Sequence, residues 1–335
     1  MNFTRYPRRA YLEEATPIEF MENLSTFLGM EVNLFVKRDD LLPGAGGGNK
    51  TRKLEFCLAD ALEQGADTII TCGAVQSNHC RLTASWCCKE NLDCHLILEE
   101  RVKGTYHPEN NGNNFLFHLL DVNSISVVPG GSDMMAEMRK KGDELKSHGK
   151  KPYIVPGGAS NPIGALGYVA CAEEIMNQLN AGHQDIDHIV VPSGSAGTHA
   201  GMVAGMIGTN ANIPVSGINV SRPKDVQEGI VYNLAEETAQ KLEMKMSIPR
   251  EAVVCYDQYV GPGYSLPTDS MVEAVRLFAK HEAILLDPVY SGKAAAGLLD
   301  LVRSGHFPRG SNVLFLHTGG SPALYAYMPT FRKDN

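Results

Sequence analysis

Apolar residues in this chain come in short runs, and the runs alternate between two spacings. Residues 32–36, 67–72, 94–98, 124–128 and 152–155 are brief apolar or β-branched stretches bounded by turn residues, which predicts strands. Between and after them lie segments with apolar positions at helical spacing: 53–63, a helix carrying 80–89, 133–147 and 163–179. The alternation then resumes, with strands at 188–191, 214–220 and 312–317 and helices at 199–207, 226–244 and 268–281. Strands joined by helices of this length predict an α/β architecture of parallel sheets with helices on both faces. There is no fixed-period repeat and no low-complexity linker.

The length, 335 residues, exceeds what one core usually supports, so two domains are expected. Residues 50–161 hold four strand–helix units and read as a smaller sheet set into a larger one built from 1–49 and 162–335. The stretch from Gly157 to Pro162 is the expected crossing point, because Gly and Pro punctuate elements. Ligands in open α/β sheets bind beyond the carboxyl ends of the strands. The active site is therefore sought in the cleft between the two units, on loops that follow strands.

Composition acts mainly by exclusion. An apolar fraction of 43% and a charged fraction of 20% are those of an ordinary globular protein. The formal charge of −8 gives no basic face for nucleic acid. No apolar run approaches a membrane span. Residues 1–9 are polar and basic without an apolar core, so no signal peptide and a cytoplasmic location are expected. The eight cysteines contain no Cys-x-x-Cys pair and match no zinc spacing; buried, reduced thiols and no metal are expected.

Four loops carry candidate chemistry. In the first, Lys50 directly follows Gly46-Gly47-Gly48-Asn49 at a helix start. Helix-terminal positivity and nearby cations lower a lysine's pKa, and a neutral amine forms an imine with an aldehyde cofactor. By spacing alone, a solvated lysine in a surface turn is the plainer reading. The order of a P-loop is absent. In the second, Ser193 to Thr198 joins a strand to a helix, and free amides at such a junction hold phosphate. A dinucleotide site would need a third Gly and a later acidic residue, and this chain lacks the Gly. Gly197, Gly201, Gly205 and Gly208 line one helix face and predict close packing on a neighbour.

The third loop is Gln76-Ser77-Asn78-His79, whose side chains suit a carboxylate, although capping by Ser77 or Asn78 explains them equally. The fourth group lies near the C-terminus: Tyr264 after Gly261-Pro262-Gly263, Tyr290 and Ser291 after Asp287-Pro288, and Thr318 at the end of the last strand. Taken singly, the two tyrosines read as core or edge residues.

Together these segments resemble the type II, tryptophan-synthase-β-like pyridoxal-phosphate enzymes, in the branch of 1-aminocyclopropane-1-carboxylate (ACC) deaminase, D-cysteine desulfhydrase and L-cysteate sulfo-lyase. The resemblance runs nearly end to end and is carried by Gly47-Gly48-Asn49-Lys50-Thr51-Arg52-Lys53-Leu54-Glu55, Gln76 to His79, Ser193 to Gly201, and Leu286 to Tyr290. It implies the type II fold, two open, twisted, mostly parallel sheets with helices on both faces, and a homodimer. It implies pyridoxal 5′-phosphate as cofactor, held covalently by Lys50, with Lys53, Asn78 and the Gly194, Ser195, Ala196, Gly197 and Thr198 loop on its phosphate. Ser77 would face the substrate carboxylate, and Tyr264 and Tyr290 the reacting atoms. Asn49, Thr51, Gln76, Asn78, His79, Ser160 and Asn161 are further candidates for the substrate.

The reaction implied is elimination from Cβ of a small amino acid, with Lys50 as general base and pyruvate and ammonia as products. Deaminases of the branch place Glu where this chain has Ser291. With Ser291 or Thr318 at the ring nitrogen, a weaker electron sink is expected, which suits a good leaving group better than cyclopropane opening. The stretches 129–138, 160–168 and 289–293 look most like the sulfo-lyases, so L-cysteate is the expected substrate, with D-cysteine as the alternative. A binding module that lost catalysis, or a nicotinamide-dependent oxidoreductase, fits these motifs less well.

Overall fold

The computed structural model describes residues 1–107, 109, 111–211 and 213–332. In chain order its main elements are β1 (Ile18–Phe20), α1 (Glu22–Phe27), β2 (Asn33–Arg38), α2 (Lys50–Glu63), β3 (Thr68–Ala74), α3 (Asn78–Glu90), β4 (Asp93–Glu100), α4 (Asn113–Leu119), β5 (Ser124–Pro129), α5 (Met134–Ser147) and β6 (Pro152–Val155). They continue as α6 (Pro162–Gly182), β7 (His188–Ser193), α7 (Gly197–Gly208), β8 (Val215–Asn219), α8 (Lys224–Lys241), β9 (Val254–Tyr256), α9 (Asp269–Glu282), α10 (Ser291–Arg303) and β10 (Asn312–His317).

The strands form two sheets. One has six strands in the order β1-β2-β10-β7-β8-β9, and the other four in the order β5-β4-β3-β6. Within the described residues all pairings are parallel except β1 against β2. Both sheets are covered by helices, so this is the α/β fold expected. The smaller sheet is made wholly from residues 68–155, between two stretches that build the larger one. Strands β7 and β8 are buried almost throughout, as parallel strands covered on both faces must be.

The glycine stripe of α7 has the packing role its spacing predicts. A Cβ at Gly201 would sit 2.4 Å from the Ala165 carbonyl oxygen, and one at Gly205 would sit 2.4 Å from the Ala172 Cβ, so α7 and α6 touch backbone to backbone. Short elements escaped the pattern, among them β1, β9, α1 and α4. Helix α10 also escaped it, since residues 287–293 read as a loop. It starts there because buried Asp287 caps it: Oδ2 accepts from the Val289 and Tyr290 amides and Oδ1 from the Ser291 amide.

Helix α2 begins at Lys50, three residues earlier than its apolar periodicity suggests. Its next turn is pinned by a buried ionic network. Arg52 donates to both oxygens of Asp39 and to Glu174, and Lys37 donates to Glu174. Tyr168 of α6 donates to Asp39 as well. This network ties α2 to α6 and to the end of β2. Seven of the cysteines are buried and Cys88 is exposed. No helix among the described residues is long and apolar enough to cross a membrane.

Candidate active site

A cavity of about 320 Å³ lies where the carboxyl ends of both sheets meet. Gly73, Ala74, Glu99 and Arg101 reach it from β3 and β4, and Pro192, Gly194, Arg222 and Thr318 from the ends of β7, β8 and β10. Strand-end loops therefore supply its walls.

Lys50 lines this cavity. The loop before it turns through positive φ at Gly46, Gly47 and Gly48. Only glycine fits at 47, where a Cβ would sit 2.1 Å from the Asp40 carbonyl oxygen. Asn49 fixes the lysine on its other side. Its Oδ1 accepts from Lys50 Nζ at 3.0 Å, while its amide nitrogen donates to Thr198 Oγ1 at 2.9 Å. Burial lowers the Lys50 pKa to about 8, against the attraction of Asp287 and with the help of Arg81. A poised, largely desolvated amine thus faces the cavity.

An anion cradle lies beside it. The turn from Gly194 to Thr198 leads into α7, with Ala196 at φ 76°. The Gly197 amide donates to Ser160 Oγ, and among the described residues the Ser195, Ala196 and Thr198 amides reach no protein acceptor. Lys53 is fully buried, and its Nζ donates to the Gly158 carbonyl at 3.1 Å. A Cβ at Gly197 would sit 2.9 Å from that Nζ, so the ammonium abuts the α7 turn. Burial, then neighbouring Lys50, hold its pKa well below the usual lysine value. A buried amine with one acceptor, beside unpaired amides at a helix N-terminus, is an arrangement that a phosphate completes.

The N-terminus of α3 forms the opposite side. Ser77 caps it, its Oγ accepting from the Cys80 amide at 3.1 Å. Ser77, Asn78 and His79 all line the cavity. Asn78 Oδ1 accepts from Asn113, and its amide nitrogen abuts Gly320, where a Cβ would sit 2.5 Å away. Thr71 donates to the Val155 carbonyl, so the hydrogen-bond network assigns the proton of His79 to Nε2, which donates to Thr71. His79 Nδ1 is then a buried lone pair without a partner. Burial, then Lys50 and Lys53, lower the His79 pKa well below the ordinary value, so it is neutral.

Tyr264 and Tyr290 meet at this cavity, hydroxyl to hydroxyl at 2.5 Å. Burial raises the pKa of both. Thr318 lines the wall, whereas Ser291 turns its hydroxyl to Asp287, bonding Oδ1 at 2.8 Å.

Besides Ser291, four candidates lie elsewhere. Thr51 Oγ1 donates to the Pro43 carbonyl and accepts from the Trp86 indole, so it is a packing residue of α2. Gln76 accepts from the Asn113 amide and donates to the Asn111 carbonyl, which ties down the 111–113 segment. Ser160 braces the anion cradle through Gly197 and Ser195 instead of lining the cavity. Asn161 caps α6.

The sequence reading missed Glu99, Arg101 and Arg222, and it missed Met134, Met135 and Met138 of α5 as cavity residues. Both arginines stand just past strand ends, at β4 and β8. The rule that located the other loops applies to them, but they lack glycine neighbours and read as solvated charge.

Among solved structures, one described as an ACC deaminase homologue matches with a TM-score of 0.88 at 37% identity, over 98% of this chain and 96% of that one. O-ureido-L-serine synthase matches with a TM-score of 0.66 at 19% identity, over 94% and 91% of the two chains. A hydrogen sulfide-producing enzyme from Fusobacterium nucleatum matches with a TM-score of 0.63 at 18% identity, over 91% and 95%. The last two share the fold. The cavity suits pyridoxal phosphate on its own evidence: a desolvated amine at Lys50 stands beside an anion cradle formed by Lys53 and the α7 turn. The description of pyridoxal-phosphate dependent enzymes matches residues 10–319, and the chain belongs to that family.

Proposed function

We propose that this enzyme carries out β-elimination on L-cysteate, with Lys50 holding the cofactor. L-cysteate and water would give pyruvate, ammonia and sulfite. The observation that carries this choice of substrate lies in α5: the 129–138 stretch, which resembles the sulfo-lyases, supplies Met134, Met135 and Met138 to the cavity wall.

Bound pyridoxal phosphate supplies an electron sink conjugated with Cα, so that carbon can give up its proton. Lys50 Nζ, which can act as a base only as a free amine no longer bound to the cofactor, is desolvated and oriented by Asn49 to take that proton. The Asn78 and His79 amides at the start of α3, which reach no acceptor among the described residues, would hold the substrate carboxylate with Ser77. Tyr264 and Tyr290 hold the shared proton of their hydroxyl pair beside the departing group. The Cα–H and Cβ–S bonds break, sulfur leaves with the electron pair of its bond, and water converts the remaining fragment to pyruvate and ammonia. Thr318, rather than a carboxylate, supports a weak sink, which favours departure of a stable anion such as sulfite.

Two other readings share this machinery. D-cysteine would release sulfide. ACC would be opened, as the description of the 37% identical structure as an ACC deaminase homologue suggests, and Ser291 in place of an acid argues against it. The deciding experiment is pyruvate release from L-cysteate, D-cysteine, L-cysteine and ACC assayed side by side. Stoichiometric sulfite from L-cysteate supports the proposal. Sulfide from D-cysteine with no turnover of cysteate replaces it with desulfhydration. By the same resemblance the protein is proposed to be a homodimer, and light scattering at the mass of one chain would refute this.

A further inference from the structure

We infer that Arg101 and Arg222 form a second anion subsite in the cavity, which holds a negatively charged group on the substrate side chain. The two guanidiniums come from different sheets. Arg101 follows β4, and Arg222 follows β8, and both line the cavity. Each is fixed at one end and free at the other. Arg101 Nε donates to Glu99 at 2.6 Å, and its guanidinium lies 4.2 Å from the centre of the Tyr264 ring. Its Nη1 and Nη2 donate to none of the described residues. Arg222 Nη1 donates to the Gly194 carbonyl at 2.7 Å, leaving Nη2 and Nε without a described acceptor.

Burial, then neighbouring Arg101, lower the Arg222 pKa, whereas against its own burial Arg101 is raised by Tyr264, Tyr290 and Glu99. Among the described residues that line the cavity Glu99 is the one carboxylate, so the pair is incompletely neutralised there. Two partly desolvated guanidiniums with free donors bind an anion well, because each hydrogen bond is charge-assisted.

The substrate carboxylate does not need this place. The α3 N-terminus with Ser77 serves it, and Lys53 with the α7 turn serves a phosphate. A third anion site therefore calls for a substrate bearing a second negative charge, placed beside the Tyr264–Tyr290 pair where the leaving group departs. This places the specificity of the enzyme in Arg101 and Arg222. The assignment of that charge to a sulfonate rests on the cysteate reading.

The test uses the cofactor-loaded enzyme and 3-sulfopropionate, which carries the carboxylate and sulfonate of cysteate but no amine to react. Calorimetric titration should show binding that Arg101→Gln weakens by about tenfold or more, that Arg101→Lys partly restores, and that Glu99→Gln strengthens. Propionate, without the sulfonate, should respond to none of them. Arg222→Gln should weaken binding too, with cofactor retention measured in parallel because Arg222 also holds Gly194. In turnover, Arg101→Gln should lower the ratio of kcat/KM for L-cysteate to that for β-chloroalanine by a similar factor, chiefly through KM. Unchanged 3-sulfopropionate affinity in both Arg101→Gln and Glu99→Gln overturns the subsite, even if cysteate proves to be the substrate. If wild type leaves cysteate untouched yet binds the probe through Arg101, the subsite stands and the cysteate reading falls.

Discussion

Lys50 shows how one side chain is tuned by its surroundings. Its amine is reactive only when neutral, and burial brings its pKa to about 8 from the usual lysine value. Capture of pyridoxal phosphate by the cofactor-free protein should therefore speed up about tenfold per pH unit below 8 and level off above it. Stopped-flow absorbance across pH measures this, and a rate still climbing steeply at pH 10 would contradict the burial of the amine. Lys50→Ala should lower turnover by about 10³-fold or more and abolish covalent attachment of the cofactor, as mass spectrometry after borohydride reduction would show. The glycine run singled out Lys50, but by spacing alone a solvated surface lysine was the plainer reading, and only the family resemblance made it the cofactor lysine. Its lowered pKa was not legible, because burial and the charges of Arg81 and Asp287, which the fold brings in from distant segments, set it.

At the scale of elements, helix starts do the binding. The α7 turn offers unpaired amides, and Gly197 keeps the approach open between Ser160 Oγ and Lys53 Nζ. Gly197→Ala would put a Cβ 2.8 Å from the first and 2.9 Å from the second. Its affinity for pyridoxal phosphate should fall about tenfold or more, with far-UV circular dichroism unchanged. The start of α3 is capped by Ser77, so Ser77→Ala should cost about 1 kcal/mol in thermal unfolding as well as raising KM. A loss of activity without loss of stability would mean that the cap is redundant. Both helix starts were visible from polar residues just past apolar runs. The start of α10 was hidden, because its cap is Asp287, four residues upstream and inside a Pro-containing stretch that reads as a loop.

For the whole molecule, the question is what holds the two sheets in register across the cavity. A buried Arg52–Asp39–Glu174 network joins α2, which carries Lys50 and Lys53, to the end of β2 and to α6. Removing one partner of a buried ion pair strands the other, at a cost of about 3–5 kcal/mol. Arg52→Ala should accordingly lower Tm by several degrees and loosen the cofactor, as calorimetry with and without pyridoxal phosphate would reveal. An unchanged Tm would move the tie elsewhere.

The sequence by itself determined the alternation of strands and helices, the insertion of one sheet within another, and the residue types at most strand ends. These are local properties, set by periodicity, turn chemistry and the positions of Gly and Pro. Only the tertiary structure decided which of those residues face one another. It turned Thr51 to Pro43 and Trp86, committed Ser291 to Asp287, and left Thr318 on the cavity wall. It also brought Arg101 and Arg222 together from separate sheets. Side-chain direction and burial follow from packing between distant segments, and one-dimensional spacing carries no record of them.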